Sequence, residues 1–177
     1  MALKPTIYKF NISLSDLNRD FYEELNLTIA QHPSETTERM VARFLAFCLN
    51  AGERLEFCKG LSNTEEPDLW RQSLVGEIDS WIDIGEPSFD RVKKAARQAK
   101  EVLVYSFNSK SSTWWQLEGL KLSKLPVRFF QFQWSEIEAL AGLVARKVTA
   151  SVTISGDSIY VATESGEQEI RLCELVC

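Results

Sequence analysis

The stretch EPDLWRQSLVGEIDSWIDIGEP, residues 66–87, decides the fold of this chain and holds its candidate site. Two segments on either side of Val75-Gly76 are predicted as antiparallel strands, Pro67 to Arg71 and Ile78 to Ile84, the second with its isoleucines on one face. A hairpin centred on Val75-Gly76 places Asp68 opposite Asp83 and one tryptophan opposite another. Because like charges facing each other destabilise a sheet, such an acid pair makes sense where a cation lies between the two carboxylates.

A third carboxylate comes from the helix predicted upstream. Glu38 precedes Val41 by three residues, which puts it on the apolar face of this helix, toward the sheet. Glu35 precedes Arg39 by four residues and is expected in a solvated salt bridge. Three carboxylates with open positions for water and phosphate suit Mg²⁺ or Mn²⁺ better than zinc. The alternatives are a solvated acidic face and, for Glu38, an ion pair with a buried arginine, Arg43 or Arg71.

Working outward from the hairpin, the order helix, strand, strand, strand, helix, strand over residues 34–108 predicts an α/β (α+β) domain with a mixed sheet and flanking helices. Ser34 is the predicted N-cap of the first helix, and Ser135 with Glu138 forms a predicted capping box further on. The other predicted helices are Glu35 to Leu49, Pro87 to Lys100 and a short one around Trp114-Trp115. The other predicted strands are Thr6 to Leu14, Phe21 to Ala30, Leu55 to Leu61, Val102 to Phe107, Val127 to Phe132, Ala150 to Ile154, Ile159 to Thr163 and Glu169 to Leu175.

Length and composition bound the function. The 177 residues suit a single domain, 1–177, and the net charge of −5 excludes a protein that holds nucleic acid by bulk positive charge. The only histidine, His32, argues against Ser-His-Asp and Cys-His hydrolases, and the four cysteines lack metal-site spacing. The sequence shows no signal peptide and no apolar run long enough to span a membrane, so a cytoplasmic protein without membrane contact is expected.

The second helix carries a dense group of cations. These are Arg91, Lys93, Lys94, Arg97 and Lys100, all within ten residues. These cations form either a solvated helix exterior or a local patch that contacts phosphates. Downstream, Trp114 and Trp115 are adjacent on a predicted helix, so one is expected in the core and one on the surface.

The chain resembles the YaeQ family of small bacterial proteins over essentially its full length. The matching stretches are LKPTIYK, HPSETTERM, GLSNTEEPDLW, IDSWIDIGEP, RVKKA and TWW. The resemblance implies a fold related to the PD-(D/E)XK nucleases, with a restriction-endonuclease-like αβββαβ core and extra N- and C-terminal strands. The order of elements over residues 34–108 agrees with that core.

Carried over by position, the nuclease motif implies an acidic metal site. Pro67-Asp68 matches its Pro-Asp, Asp83 matches its second acid, and Glu38 matches the helix glutamate found in many members. Gly85 stands where the motif has lysine, so Lys94 or Lys93 is expected to reach the site instead. Glu86 is a further possible metal ligand.

The activity implied is metal-dependent hydrolysis of a phosphodiester, with Mg²⁺ or Mn²⁺ held by Asp68, Asp83 and Glu38. Lys94 would orient the attacking water or stabilise the oxyanion. Nucleic acid would contact the helix through Arg91, Lys93, Lys94 and Arg97. The alternative is a catalytically inactive nuclease-like domain that binds nucleic acid or a protein partner, which the glycine at position 85 favours.

Overall fold

A computed structural model describes residues 3–59, 61 and 63–176, and this part of the chain forms ten strands and four helices. The strands are β1 (Thr6–Asp16), β2 (Phe21–Gln31), β3 (Leu55–Phe57), β4 (Leu69–Gln72), β5 (Ile78–Ile84), β6 (Ala99–Ser106), β7 (Arg128–Phe132), β8 (Lys147–Ser155), β9 (Ser158–Thr163) and β10 (Gly166–Leu175). The helices are α1 (Thr37–Asn50), α2 (Phe89–Gln98), α3 (Ser111–Leu122) and α4 (Trp134–Ala141).

All ten strands join one mixed sheet in the order β2-β1-β8-β9-β10-β7-β6-β5-β4-β3. The pairs β1–β8, β5–β6 and β6–β7 are parallel, and the remaining pairs are antiparallel. The sheet is nearly closed and barrel-like. Its outermost strands approach each other around Arg43, which donates a hydrogen bond to Ala30 O on β2 at 3.0 Å and lies 5.8 Å from the Phe57 ring on β3.

Helix α1 fills the inside of the curved sheet. Every residue from Met40 to Cys48 is buried, which is the pattern of a helix covered on all sides. Its N-cap is Thr36, whose hydroxyl accepts from the Arg39 N–H at 3.1 Å, so the prediction of Ser34 as the cap is wrong. Ser34 instead donates its N–H to His32 Nδ1 in the preceding turn.

Helices α2 and α3 cover the opposite face of the sheet. Val92 of α2 and Leu122 of α3 pack on Phe129 in a smaller buried cluster. Trp114 and Trp115 both pack against the Phe129 ring, at 6.2 and 5.1 Å between centroids, and both are half-buried. The expected division into one core and one surface tryptophan is therefore wrong, because both rings pack against the same phenylalanine and both stay half-buried.

The mixed α+β architecture and the order α1, β3, β4, β5, α2, β6 confirm the prediction for the middle of the chain. Strand β3 ends earlier than predicted, at Phe57, and residue 60 of that prediction lies outside the described residues. Helix α4 begins at Trp134 after Gln133, which makes no side-chain cap, so the predicted capping box does not form. Within the described ranges, no helix has both the length and the apolar character needed to cross a bilayer.

Candidate functional site

The predicted hairpin register is correct where it matters for the site. Trp70 pairs with Trp81 and Leu69 with Ile82, and the Asp68 N–H donates to Ile82 O at 3.1 Å. Asp68 and Asp83 therefore meet at one end of the hairpin, and both side chains are buried. They line a pocket of about 220 Å³ together with Arg39, Leu61, Asn63, Thr64, Glu66, Ile84, Glu86, Pro87 and Arg91.

Arginine and backbone donors bind both carboxylate oxygens of Asp68. Arg39 donates from Nη2 to Oδ1 at 2.7 Å, and the Ile84 N–H donates to Oδ2 at 2.8 Å. Arg39 also donates to Ile84 O at 3.2 Å. Burial by itself would lower the pKa of Arg39, but the adjacent carboxylates outweigh it and raise that pKa. Asp68 thus ties α1 to the end of β5.

Asp83 forms a bidentate pair with Arg91 of α2. The Nε and Nη2 groups donate to its two oxygens at 2.9 and 3.0 Å, the parallel geometry of a strong arginine–carboxylate pair. Burial raises the pKa of Asp83, Arg91 opposes that rise, and the nearby Asp68 carboxylate adds to it. Arg91 also donates to Thr64 O at 2.7 Å and to Glu66 O at 3.0 Å, so it holds the loop before β4 over the pocket.

The two glutamates of the first helix region exchange their expected roles. Glu35 is buried, 7% exposed, and its carboxylate accepts from Arg43 at 2.6 and 2.8 Å and from Arg39 at 2.8 Å. The predicted ion pair with Arg39 is confirmed, but the prediction that it is solvated is wrong. Glu38 is half-buried and forms no ion pair or hydrogen bond with the described residues.

Glu86 and Gly85 lie just beyond the end of β5. The Glu86 carboxylate accepts from the Asn108 N–H at 3.2 Å and from the Ser111 hydroxyl, so it binds the start of α3. Gly85 has φ +117°, a conformation that side-chain-bearing residues rarely adopt. A lysine at this position would therefore strain the backbone. The backbone conformation thus favours glycine where the nuclease motif has lysine.

As arranged, these residues do not fit a bound metal ion. Asp68 and Asp83 face guanidinium groups where a cation would lie, and Glu86 is directed to α3. Among the residues that the structure describes, no group of three or more histidine, cysteine, aspartate or glutamate side chains is placed to hold a metal. The opposed acids are neutralised by arginine instead.

The basic residues of α2 separate into two groups. Arg91 faces the pocket, Lys94 pairs with Glu65 at 2.8 Å on the exposed rim, and neither Lys94 nor Lys93 lines the pocket. Lys93 and Arg97 point to the surface, as the prediction of a solvated or phosphate-contacting face requires. Beyond the helix, Lys100 of β6 pairs with Asp79 of β5 and with Glu77 directly before that strand.

Arg39 and Arg43 together bind Glu35, an arrangement that was not predicted from the sequence. They stand four and eight residues after Glu35, on one side of α1. The signal was present, because an acid followed at this spacing by two arginines predicts a ladder of ion pairs along a helix. Burial of that ladder depends on the sheet curving around α1.

Comparison with known proteins shows one family. The sequence model described as YaeQ protein matches residues 1–172. "Uncharacterized protein YaeQ" of Salmonella typhi is 37% identical over 174 residues, covering 97% of this chain and 96% of that protein. The protein of the same name from Escherichia coli (strain K12) is 36% identical over 176 residues, with the same coverage.

Two solved structures share the fold. The crystal structure of YaeQ protein from Xanthomonas axonopodis pv. citri has a TM-score of 0.94 and 35% identity, covering 98% of this chain and 99% of that one. The YaeQ protein from Pseudomonas syringae has a TM-score of 0.92 and 34% identity, covering 98% and 97% of the two chains.

Proposed function

Because the chain belongs to the YaeQ family, and its opposed aspartates are each neutralised by an arginine, we propose that it is a catalytically inactive nuclease-like domain that binds nucleic acid. The pairing of Asp68 with Arg39 and of Asp83 with Arg91 carries this proposal. A nuclease site of this class needs its acids free to hold a cation, whereas here guanidinium groups take that place.

Two further features support a nuclease-like origin without cleavage. The element order α1, β3, β4, β5, α2, β6 agrees with that of a restriction-endonuclease-like core. The backbone at Gly85 excludes an unstrained lysine at the position where the nuclease motif has one. Lys94, the expected substitute, is directed to Glu65 on the rim.

The exposed cations of α2 provide the binding surface in this proposal. Lys93 and Arg97 lie on the outer face of the helix, away from the sheet. Contacts from such side chains go to phosphates, which supply affinity without reading base sequence. The net charge of −5 makes this a local attraction, so binding should weaken steeply as salt rises.

The test combines binding and cleavage on the same protein. Fluorescence anisotropy with labelled single-stranded DNA, RNA and duplex DNA, repeated over a salt series, should show binding with a negative salt slope. In an assay with supercoiled plasmid and Mg²⁺ or Mn²⁺, the unmodified protein should produce no more nicking than Asp83→Ala does. Absence of binding to all three nucleic acids at low salt would refute the proposal.

Metal-dependent hydrolysis of phosphodiesters is the second candidate; the acidic lining of the pocket favours it, but it requires Arg39 and Arg91 to leave the aspartates that they pair with in this structure. Glu66 and Glu86 line the pocket beside the two aspartates, so carboxylates outnumber the two guanidinium groups there. This surplus would attract a divalent cation. Nicking that needs Mg²⁺ or Mn²⁺, stops with EDTA and is lost in Asp83→Ala would establish this candidate in place of the first.

A further inference from the structure

We infer that a single-stranded nucleic acid binds across the junction of α2 and α3, with a base stacked on Phe89 and phosphates bound by Lys93 and Lys121. The inference rests on the proposed function and specifies where that function is performed. It differs from the sequence prediction in adding Lys121 of a second helix and the ring of Phe89 to the binding face.

Two lysines from different helices converge on one ring. The Lys93 ammonium of α2 lies 6.0 Å from the centroid of Phe89, and the Lys121 ammonium of α3 lies 5.9 Å from the same centroid. Phe89 is half-buried, and its inner side packs against the cluster around Val92 and Phe129. The inner side of the ring is thus packed on the cluster, and the two ammonium groups lie over the ring, from which a stacking base would displace them toward its phosphates.

These two lysines are less engaged than their neighbours. Lys94 and Lys100 each contact a carboxylate oxygen at 2.8–2.9 Å. Lys93 forms no ion pair within the described part of the chain, and Lys121 has a loose contact of 3.8 Å with Glu118 on its own helix. Both ammonium groups are exposed. Their positive charges therefore remain available to a ligand.

An anchored aromatic ring between two available cations matches the chemistry of single-strand binding. Bases stack on aromatic side chains whatever their identity, while flanking cations follow the phosphate backbone. A duplex keeps its bases stacked on each other, so it can use the lysines but not the ring. Asp90 and Glu118 also lie on these helices and reduce the local positive charge.

The experiment compares three variants by anisotropy with a labelled single strand and a labelled duplex. Lys93→Gln/Lys121→Gln should lower single-strand affinity about tenfold or more and reduce the salt slope by roughly 1.4, the value for two lost phosphate contacts. Phe89→Leu, which keeps an apolar side chain over the cluster, should lower single-strand affinity roughly five- to hundredfold and leave duplex affinity unchanged. The control Lys147→Gln removes an exposed lysine on β8 and should change neither.

The outcomes separate the inference from the proposed function. Failure of the unmodified protein to bind any nucleic acid refutes both. Binding that is unchanged in the double lysine variant refutes this surface alone. Equal losses for single strand and duplex in Phe89→Leu refute base stacking, and if that variant does not fold, the lysine variant still decides whether the strand lies here.

Discussion

Replacement of Glu35 by glutamine tests the charge network inside the barrel-like sheet. The Glu35 carboxylate is 7% exposed and accepts from Arg43, which is 3% exposed, through two hydrogen bonds of 2.6 and 2.8 Å. It also accepts from Arg39 at 2.8 Å. Glutamine keeps the shape but removes the negative charge, so Arg43 retains a buried positive charge without a counter-ion.

The expected loss is large for a substitution of nearly equal size. Removing one partner of a buried pair costs about 3–5 kcal/mol, because the remaining charge has no water to solvate it. Arg43 keeps its hydrogen bond to Ala30 O, which is neutral and does not replace the carboxylate. At an m value of about 3 kcal/mol/M, the urea midpoint should fall by roughly 1 to 1.7 M.

The assay is urea unfolding followed by tryptophan fluorescence, with Glu38→Gln as the matched control. Glu38 stands on α1, is half-buried and forms no ion pair with the described residues, so its substitution should change stability by less than about 0.5 kcal/mol. A double variant, Glu35→Leu/Arg43→Met, should lose less than Glu35→Gln because it removes both charges. Equal losses for Glu35→Gln and Glu38→Gln would refute the reasoning.

Three further outcomes are expected. Gly85→Ala should lose about 1–3 kcal/mol in urea unfolding because φ is +117°, whereas Gly142→Ala, at a helix C-cap with φ −71°, should lose less; equal losses would contradict the strain. Burial raises the pKa of Asp83 above its ordinary 3.8. Protonation of this carboxyl therefore stabilises the fold at low pH, and that stabilisation is lost as pH rises through the raised pKa. The free energy of unfolding of the unmodified protein should therefore fall relative to Asp83→Asn as pH rises from 3.8 through the raised pKa, and a change in the opposite direction would show that the arginine pair dominates. A thiol reagent should react quickly with exposed Cys173 and slowly with buried Cys48, whose pKa burial also raises, so Cys173→Ser should remove one fast equivalent while Cys48→Ser should not.

The hairpin at the centre of the fold was predictable because its determinants are local. The two-residue period of its strands and the turn at Val75-Gly76 set which side chains face each other, and Trp70 does pair with Trp81. The order of elements around it followed from the same kind of periodicity. The register irregularity between Arg71 and Gln72 had no visible sequence signal.

The site was only partly predictable, because spacing shows where an acid is but not which charge will reach it. From the sequence, Asp68 and Asp83 are predicted to lie together, and their repulsion is interpreted as evidence for a bound metal ion. Arg39 and Arg91 come from helices on opposite faces of the sheet, and only their packing shows that guanidinium groups neutralise both acids.

The exchange of Glu35 and Glu38 has the same cause. Helical spacing alone put Glu38 on the buried side, since it assumes one covered face. The sheet wraps around α1, so every residue from Met40 to Cys48 is buried, and Glu35, which precedes the helix, is enclosed as well.

By itself, then, the sequence determined the period and order of the elements, the hairpin register and the family, which are properties of neighbouring residues along the chain. Tertiary structure decided that the sheet encloses α1, that arginines rather than a cation neutralise the opposed aspartates, and that Lys93 and Lys121 converge on Phe89. The physical reason is that burial and ion pairing depend on residues distant in sequence, whose meeting is fixed only when the curved sheet closes around its core.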